Sequence, residues 1–247
     1  MQYTGSIDNR GILEIIRRSC SYVDARLMNH GYRVAYIVSE MLKPYFHEDA
    51  RKIRDVCFLA LLHDIGAYKT DEISKMLQFD TDDVLAHSVY GYLFIKYFSP
   101  LKKLSGAILL HHATWQVLEH SEVFPEGIRL LAQVIHVADR IDVAMEVQHL
   151  TWEETAALLK KGSGTKFSPV IADLALACDF HTPFEGDTDA ESLFFQLFSE
   201  IPLTQDEITD YLKMLIFTID FRSRHTVTHT ITTTTISAEL AKRMGMT

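Results

Sequence analysis

Apolar residues recur at spacings of three and four along nearly the whole chain, and no stretch alternates with a period of two between hairpin turns. A chain patterned this way must bury one stripe of each helix against other helices, so the expected fold is all-α. Breakers and caps cut the pattern into segments. Pro44 and Pro100 stop helices over about 27–43 and 81–98, and Pro125 opens one running to about residue 147. Thr151 followed by Glu154 reads as a capping box for a helix over 151–161 that Gly162 ends, and Thr204 with Glu207 repeats the pattern for 204–220. Ser168 with Pro169 caps the helix between them. The polar stretch 181–190, with Pro183 and Gly186, reads as a loop, which places a boundary near residue 200. Residues 1–200 are expected to form the main domain and 201–247 a helical extension.

Composition limits the functions such a bundle can serve. The 247 residues are 47% apolar, enough for one sizeable core. With 24 Lys and Arg against 33 Asp and Glu, the net charge of −9 argues against general attraction to a nucleic-acid duplex or an anionic membrane. A small anionic substrate at a local positive site remains compatible. The longest apolar run, VCFLALL over 56–62, falls far short of the about 20 residues needed to span a bilayer. Cys20, Cys57 and Cys178 are odd in number and far apart, which points to a reducing compartment without a disulfide framework. A cytoplasmic protein is the expectation.

The chemistry lies in polar residues set on apolar stripes. His30 lies between Leu27 and Val34, and His87 between Val84 and Gly91, each at the spacing that turns it toward the core. His63-Asp64 ends the run VCFLALL, His111-His112 ends AILL, and Asp139 shares a stripe with Leu131, Ile135 and Val143. Any single histidine so placed is most often a hydrogen-bonded core residue. The set His30, His63, Asp64, His87, His111, His112 and Asp139 is different, because nitrogen and oxygen donors enclosed in an apolar core satisfy one another best around cations. Seven donors exceed one tetrahedral ion and suit two ions of higher coordination bridged by a carboxylate, for which Asp64 is the natural choice.

In the pattern H...HD...H...HH...D the chain resembles the HD superfamily of metal-dependent phosphohydrolases. The segments His30-x-x-Arg33-Val34, HDIGAYKTDEI from His63, His87-x-x-x-Gly91, ILLHH ending at His112 and VADRIDVA around Asp139 resemble its HD-GYP branch, whose members are cyclic di-GMP phosphodiesterases. The downstream TWEETAALLKKGSGTKFSPVIADL is similar to that branch's closing segment. The likeness spans about residues 24–180. It implies an HD-domain helical bundle in which His30, His63, Asp64 and Asp139 hold one ion and Asp64, His87, His111 and His112 the other. Asp64 and His63 would then be catalytic. The resemblance implies iron or manganese, with zinc, nickel or magnesium also compatible with such donors, and a small phosphorylated nucleotide as substrate.

Three positions depart from the branch. Arg26 stands where members with a third metal carry Glu, and Ala67 where a lysine is expected, with Lys69 nearby. No Gly-Tyr-Pro motif follows His112, so cyclic di-GMP recognition does not carry over intact. Arg33, Lys69 and Arg140 are the candidate phosphate contacts. Each has a plainer reading: a solvated charge for Arg33 and Lys69, a structural ion pair with Asp142 or another carboxylate for Arg140. His136, three residues before Asp139, either orients a ligand or is a satisfied core histidine. His47, His120 and His149 are expected at the surface, and His181 in a loop.

The tail echoes the first helix. Aligning His229 with His30 also matches Ile236 with Ile37, Glu239 with Glu40 and Lys242 with Lys43. FRSRHTVTHTITTTTISAELAKRMG resembles the start of an HD-GYP domain, so the expectation is the first half of a tandem protein. The run Thr232 to Thr235 is poor helix material and calls for packing against another element, including a homodimer partner at these C-terminal helices. Two alternatives to the phosphohydrolase stay open: a non-catalytic regulatory or dimerising module, and a di-iron oxygenase on the same scaffold.

Overall fold

The computed structural model describes residues 11, 14–15, 25–45, 49–67, 85–178, 180, 201, 203–222 and 226–245. Among them the chain is helical, with no strand beyond an isolated bridge between Ser163 and Phe167. This agrees with the all-α expectation. The helices are α1 (Ala25–Leu42), α2 (Ala50–Leu61), α3 (Leu85–Phe98), α4 (Ser105–Leu110), α5 (Trp115–Leu118), α6 (Glu126–Asp142), α7 (Trp152–Gly162), α8 (Pro169–Leu176), α9 (Gln205–Arg222) and α10 (Thr226–Arg243). A π-turn over Val143–Val147 extends α6 to the residue expected from sequence.

Helix α6 is the axis of the bundle, packing against α1, α4 and α8. Its first turns are amphipathic, but every residue from Ala132 to Asp142 is buried, as for a helix enclosed on all sides. The helix must therefore find internal partners for Gln133, His136, Asp139, Arg140 and Asp142. Around it, α1 packs on α2 and α3 on α4, joined in one core that includes Ile37, Met41, Phe58, Leu59, Ile95, Ile108 and Ile135.

Three glycines let these layers close. A Cβ on Gly31 would lie 2.6 Å from the Leu61 carbonyl oxygen, bringing α1 onto the end of α2. One on Gly66 would lie 2.0 Å from the His87 carbonyl oxygen and 2.5 Å from the Gly91 nitrogen, where the turn after α2 rests on α3. One on Gly91 would lie 2.9 Å from Ile108 Cγ2 of α4. Each seam joins two segments that carry a candidate donor.

The capping boxes form as expected: Thr151 Oγ1 accepts from the Glu154 N–H while Glu154 accepts from Thr151, and Thr204 with Glu207 does the same. Ser168 departs from its expected capping role, because its side chain makes no cap bond and its hydroxyl is buried without a hydrogen-bond partner. Its N–H is instead taken by Gln133 Oε1 at 2.9 Å.

Helix α9 returns to the bundle. Tyr211 stacks on Phe58 of α2 at 4.4 Å, and the buried Arg54 guanidinium binds both Asp55 and Glu207 at 2.6 Å. Helix α10 packs on α9, and its side chains over 232–240 are all exposed, including Ile236 and Leu240. The threonine run is thus helical despite its weak propensity. No helix among the described residues is long and apolar enough to cross a membrane. Cys57 and Cys178 are free thiols, and the expectations for Cys20 and the loop 181–190 lie outside the described residues.

Candidate metal centre

Five segments bring the seven donors to one place: α1 carries His30, the turn after α2 His63 and Asp64, α3 His87, the end of α4 His111 and His112, and α6 Asp139. All are buried except His112, which is half-buried.

Helix ends orient two of the histidines. The last carbonyls of a helix lack intrahelical donors. His63 Nδ1 donates to the Ala60 carbonyl at 2.7 Å, and His111 Nδ1 to the Ile108 carbonyl at 2.5 Å, both three residues back. Each bond fixes a tautomer whose Nε2 lone pair points away from the helix. The two lone pairs converge with the other donors: His111 Nε2 lies 3.5 Å from Asp64 Oδ1, and His63 Nε2 lies 3.2 Å from Asp64 Oδ2.

Asp64 divides the donors into two groups. Its Oδ1 faces His87 and His111, both at 3.5 Å, and His87 Nε2 lies 3.0 Å from His112 Nε2. Its Oδ2 faces His63 at 3.2 Å and His30 at 3.8 Å. Two clusters with metal-ligand spacing result, one of Asp64, His87, His111 and His112, the other of His30, His63 and Asp64. Asp139 Oδ1 adjoins the second, 3.2 Å from His30 Nε2.

The donor set fits metal ions. His63 Nε2 and Asp64 Oδ1 are buried without a hydrogen-bond partner, a costly state that coordination would relieve. Donors bonded to one ion at about 2.0–2.2 Å sit about 3 Å apart at ordinary coordination angles, close to the separations here.

Electrostatics supply the required protonation states. Burial pushes His87 down to about 4 and His112 well below its usual value, and it pushes His136 down to about 3, so these imidazoles stay neutral. Burial would raise Asp64 and Asp139, yet neighbouring histidines hold Asp64 well below the usual carboxylate range, and Arg140 with His30 does so for Asp139. His30 is the opposite case. Burial disfavours its charge, but hydrogen bonds to Asp139 and Asp142 prevail and raise it to about 10. In the metal-free protein this imidazolium provides the positive charge that a cation would otherwise bring.

Both arginines named as phosphate contacts are engaged with carboxylates. Arg33 is not the solvated charge allowed by its surface reading: it donates to both oxygens of the fully buried Asp142, at 2.5 and 3.1 Å. Arg140 donates twice to Asp139 Oδ2, at 3.1 and 2.8 Å. Lys69 lies outside the described residues, as do His47 and His181. His120 and His149 are exposed as expected. His136 is buried beside Gln133 Nε2 and makes an edge contact with Phe167.

Gln133 escaped the sequence reading, and Asp142 entered it only as an ion-pair partner for Arg140, whereas the structure gives Asp142 to Arg33 and His30 and Arg140 to Asp139. Gln133, fully buried, donates to the Ala113 carbonyl and accepts from Ser168, tying the residue after His112 to the start of α8. Asp142 accepts from His30 Nδ1 at 2.6 Å. Its spacing of three from Asp139 was the available signal, since it sets both carboxylates on one face of α6.

No curated protein and no solved structure matches the chain. Residues 27–144, which carry all seven donors as well as Gln133 and Asp142, match the HD domain family, a finding that supports the HD superfamily for this part of the chain.

Proposed function

We propose that the protein is a binuclear metal-dependent phosphohydrolase, a phosphodiesterase acting on a cyclic dinucleotide or related nucleotide. The observation that carries this reading is Asp64, which turns one carboxylate oxygen to each of two donor groups inside a buried core. In this reading His30, His63, Asp64 and Asp139 hold one ion and Asp64, His87, His111 and His112 the other. When bound, such a pair supplies Lewis acidity toward a phosphoryl oxygen and an activated water as nucleophile.

The chain's own residues prepare that chemistry. Helix-end carbonyls orient His63 and His111, burial keeps His87 and His112 uncharged, and Arg140 holds Asp139 Oδ2 so that Oδ1 faces His30. Arg140, slightly exposed and bonded to the donor Asp139, is our candidate for a phosphate contact. Iron or manganese suits the mixed imidazole and carboxylate set.

Helix α10 supports a second element of the proposal. Ile236 is 54% exposed, whereas Ile37, its counterpart in the alignment of the two helices, is fully buried. We read 201–247 as a linker and the first helix of a second HD unit, with a homodimer through the same helices as the competing arrangement. The exposed face of α10 also suits the competing reading, a non-catalytic regulatory or dimerising module, which the missing Gly-Tyr-Pro motif and lysine favour.

Metal stoichiometry on protein purified without chelators or an affinity tag, then reconstituted with iron or manganese, is the test. About two ions per chain, with phosphate ester cleavage in a screen of cyclic and linear dinucleotides, is the expected result. Two ions without cleavage would leave the regulatory module, and one ion or none would overturn the binuclear reading.

A further inference from the structure

Helices α1 and α6 interlock through two pairs of residues spaced three apart, His30 with Arg33 and Asp139 with Asp142. That spacing puts each pair on one helix face. His30 sits between the two carboxylates: its Nε2 lies 3.2 Å from Asp139 Oδ1, and its Nδ1 lies 2.6 Å from Asp142 Oδ2. The carboxylates are held differently. Arg140 donates twice to Oδ2 of Asp139, while Oδ1 faces the donor cluster. On Asp142 both oxygens are engaged, Oδ1 by Arg33 Nε and Oδ2 by His30 Nδ1 and a terminal nitrogen of Arg33.

We infer that Asp142 is a positioning residue, clamped by Arg33, that aims the Nε2 of His30 at the ion shared with His63 and Asp64 and takes no part in ligation itself. His63 and His111 are oriented by carbonyls of their own helices, whereas His30 sits within α1, where the nearby carbonyls serve the helix. Its orienting acceptor must come from elsewhere in the fold, and Asp142 supplies it from 112 residues away. Arg33 has a second effect. By holding both carboxylate oxygens it keeps Asp142 from swinging toward the ion, so the carboxylate that orients His30 cannot compete with it as a ligand. Outer partners of this kind fix ring orientation and raise ligand basicity, and losing one typically weakens metal affinity 10- to 100-fold.

The inference rests on the two-ion reading, and its test separates the two. Manganese(II) is titrated into metal-free wild type, Asp142→Ala and Asp142→Asn, with the free-ion electron paramagnetic resonance signal reporting both stoichiometry and affinity. Wild type is expected to bind about two ions. Asp142→Ala is expected to bind one ion as tightly as wild type and the other about 10- to 100-fold more weakly, because His30 belongs to only one donor cluster. Asp142→Asn keeps an acceptor oxygen for His30 and is expected to show a smaller loss at the same site. It also serves as the folded comparison if the alanine variant loses its helical spectrum. General loosening would weaken both sites together, so equal loss at both sites in a folded variant would overturn the positioning role. Unchanged binding at both sites would overturn it as well, leaving the two-ion reading intact. Wild type binding fewer than two ions would overturn that reading and this inference together.

Discussion

Gly66 offers the most direct test of how the fold builds the site. A Cβ there would meet three backbone atoms: the His87 carbonyl oxygen at 2.0 Å, the Gly91 nitrogen at 2.5 Å and the His87 carbonyl carbon at 2.9 Å. No rotamer change can relieve contacts with backbone, so the turn after α2 and helix α3 must separate. Ordinary contact begins near 3.4 Å, so the oxygen alone requires an opening of about 1.4 Å, several times the about 0.2 Å over which metal–ligand distances vary. Asp64 and His87 lie on opposite sides of this seam, 3.5 Å apart. Gly66→Ala is therefore expected to cost about 3 kcal/mol, the upper part of the usual range for overpacking. That corresponds to a fall of about 6–12 °C in Tm for a domain of this size. It should also weaken the ion expected at His87, His111 and His112. Gly127→Ala is the control, since a Cβ at that exposed helical position meets nothing within 4 Å. Thermal melts of the metal-free proteins and metal titrations provide the assay. A Gly66→Ala protein with the Tm and metal affinity of wild type would refute the argument that this close approach holds the donors together.

Other perturbations probe separate parts of the structure. Asp64→Ala is expected to abolish binding of both ions and any hydrolysis while leaving an α-helical spectrum, and metal retained in that variant would refute the bridging role. His30 is held at about 10 in the metal-free fold against 6.5 unfolded, so its protonation stabilises the fold fully below about pH 6.5, and that stability is lost as pH rises through about 10. Denaturant melts of metal-free protein between pH 6.5 and 10 should show this decline, and His30→Gln should flatten it. His136 works in the opposite direction: its value of about 3 means that acid favours the unfolded chain as pH falls from 6.5 toward 3, a slope that His136→Gln should reduce. Arg54→Ala leaves Asp55 and Glu207 without their shared partner and is expected to cost about 3 kcal/mol, at the low end for a broken buried pair because both carboxylates reach water. Urea denaturation measures this, and an unchanged midpoint would show that α9 does not depend on the contact.

Much of the architecture was legible because it is local. Proline positions, the Thr-x-x-Glu boxes at Thr151 and Thr204, and apolar spacing all act within a few residues, and the helices they delimit formed close to the expected bounds. Ser168 shows the limit of such rules. A capping residue type preceded a proline at the right place, but burial gave its N–H to Gln133 and left its hydroxyl unused.

For the site, the sequence by itself determined which residues could carry the chemistry: seven donors on apolar stripes, in an order that resembles one superfamily. It could not determine their partners, because partnership between segments far apart in the chain depends on how helices cross. Tertiary packing decided that the Asp64 oxygens face different histidines and that Arg33 is spent on Asp142, which left Arg140 to its chain neighbour Asp139. It also decided that the glycines at 31, 66 and 91 are points of close approach between segments and not merely flexible residues. The physical reason is the same throughout. Helix formation and capping are settled between near neighbours in the chain, whereas a buried charge takes whichever opposite charge the fold delivers, and that choice exists only once the core has closed.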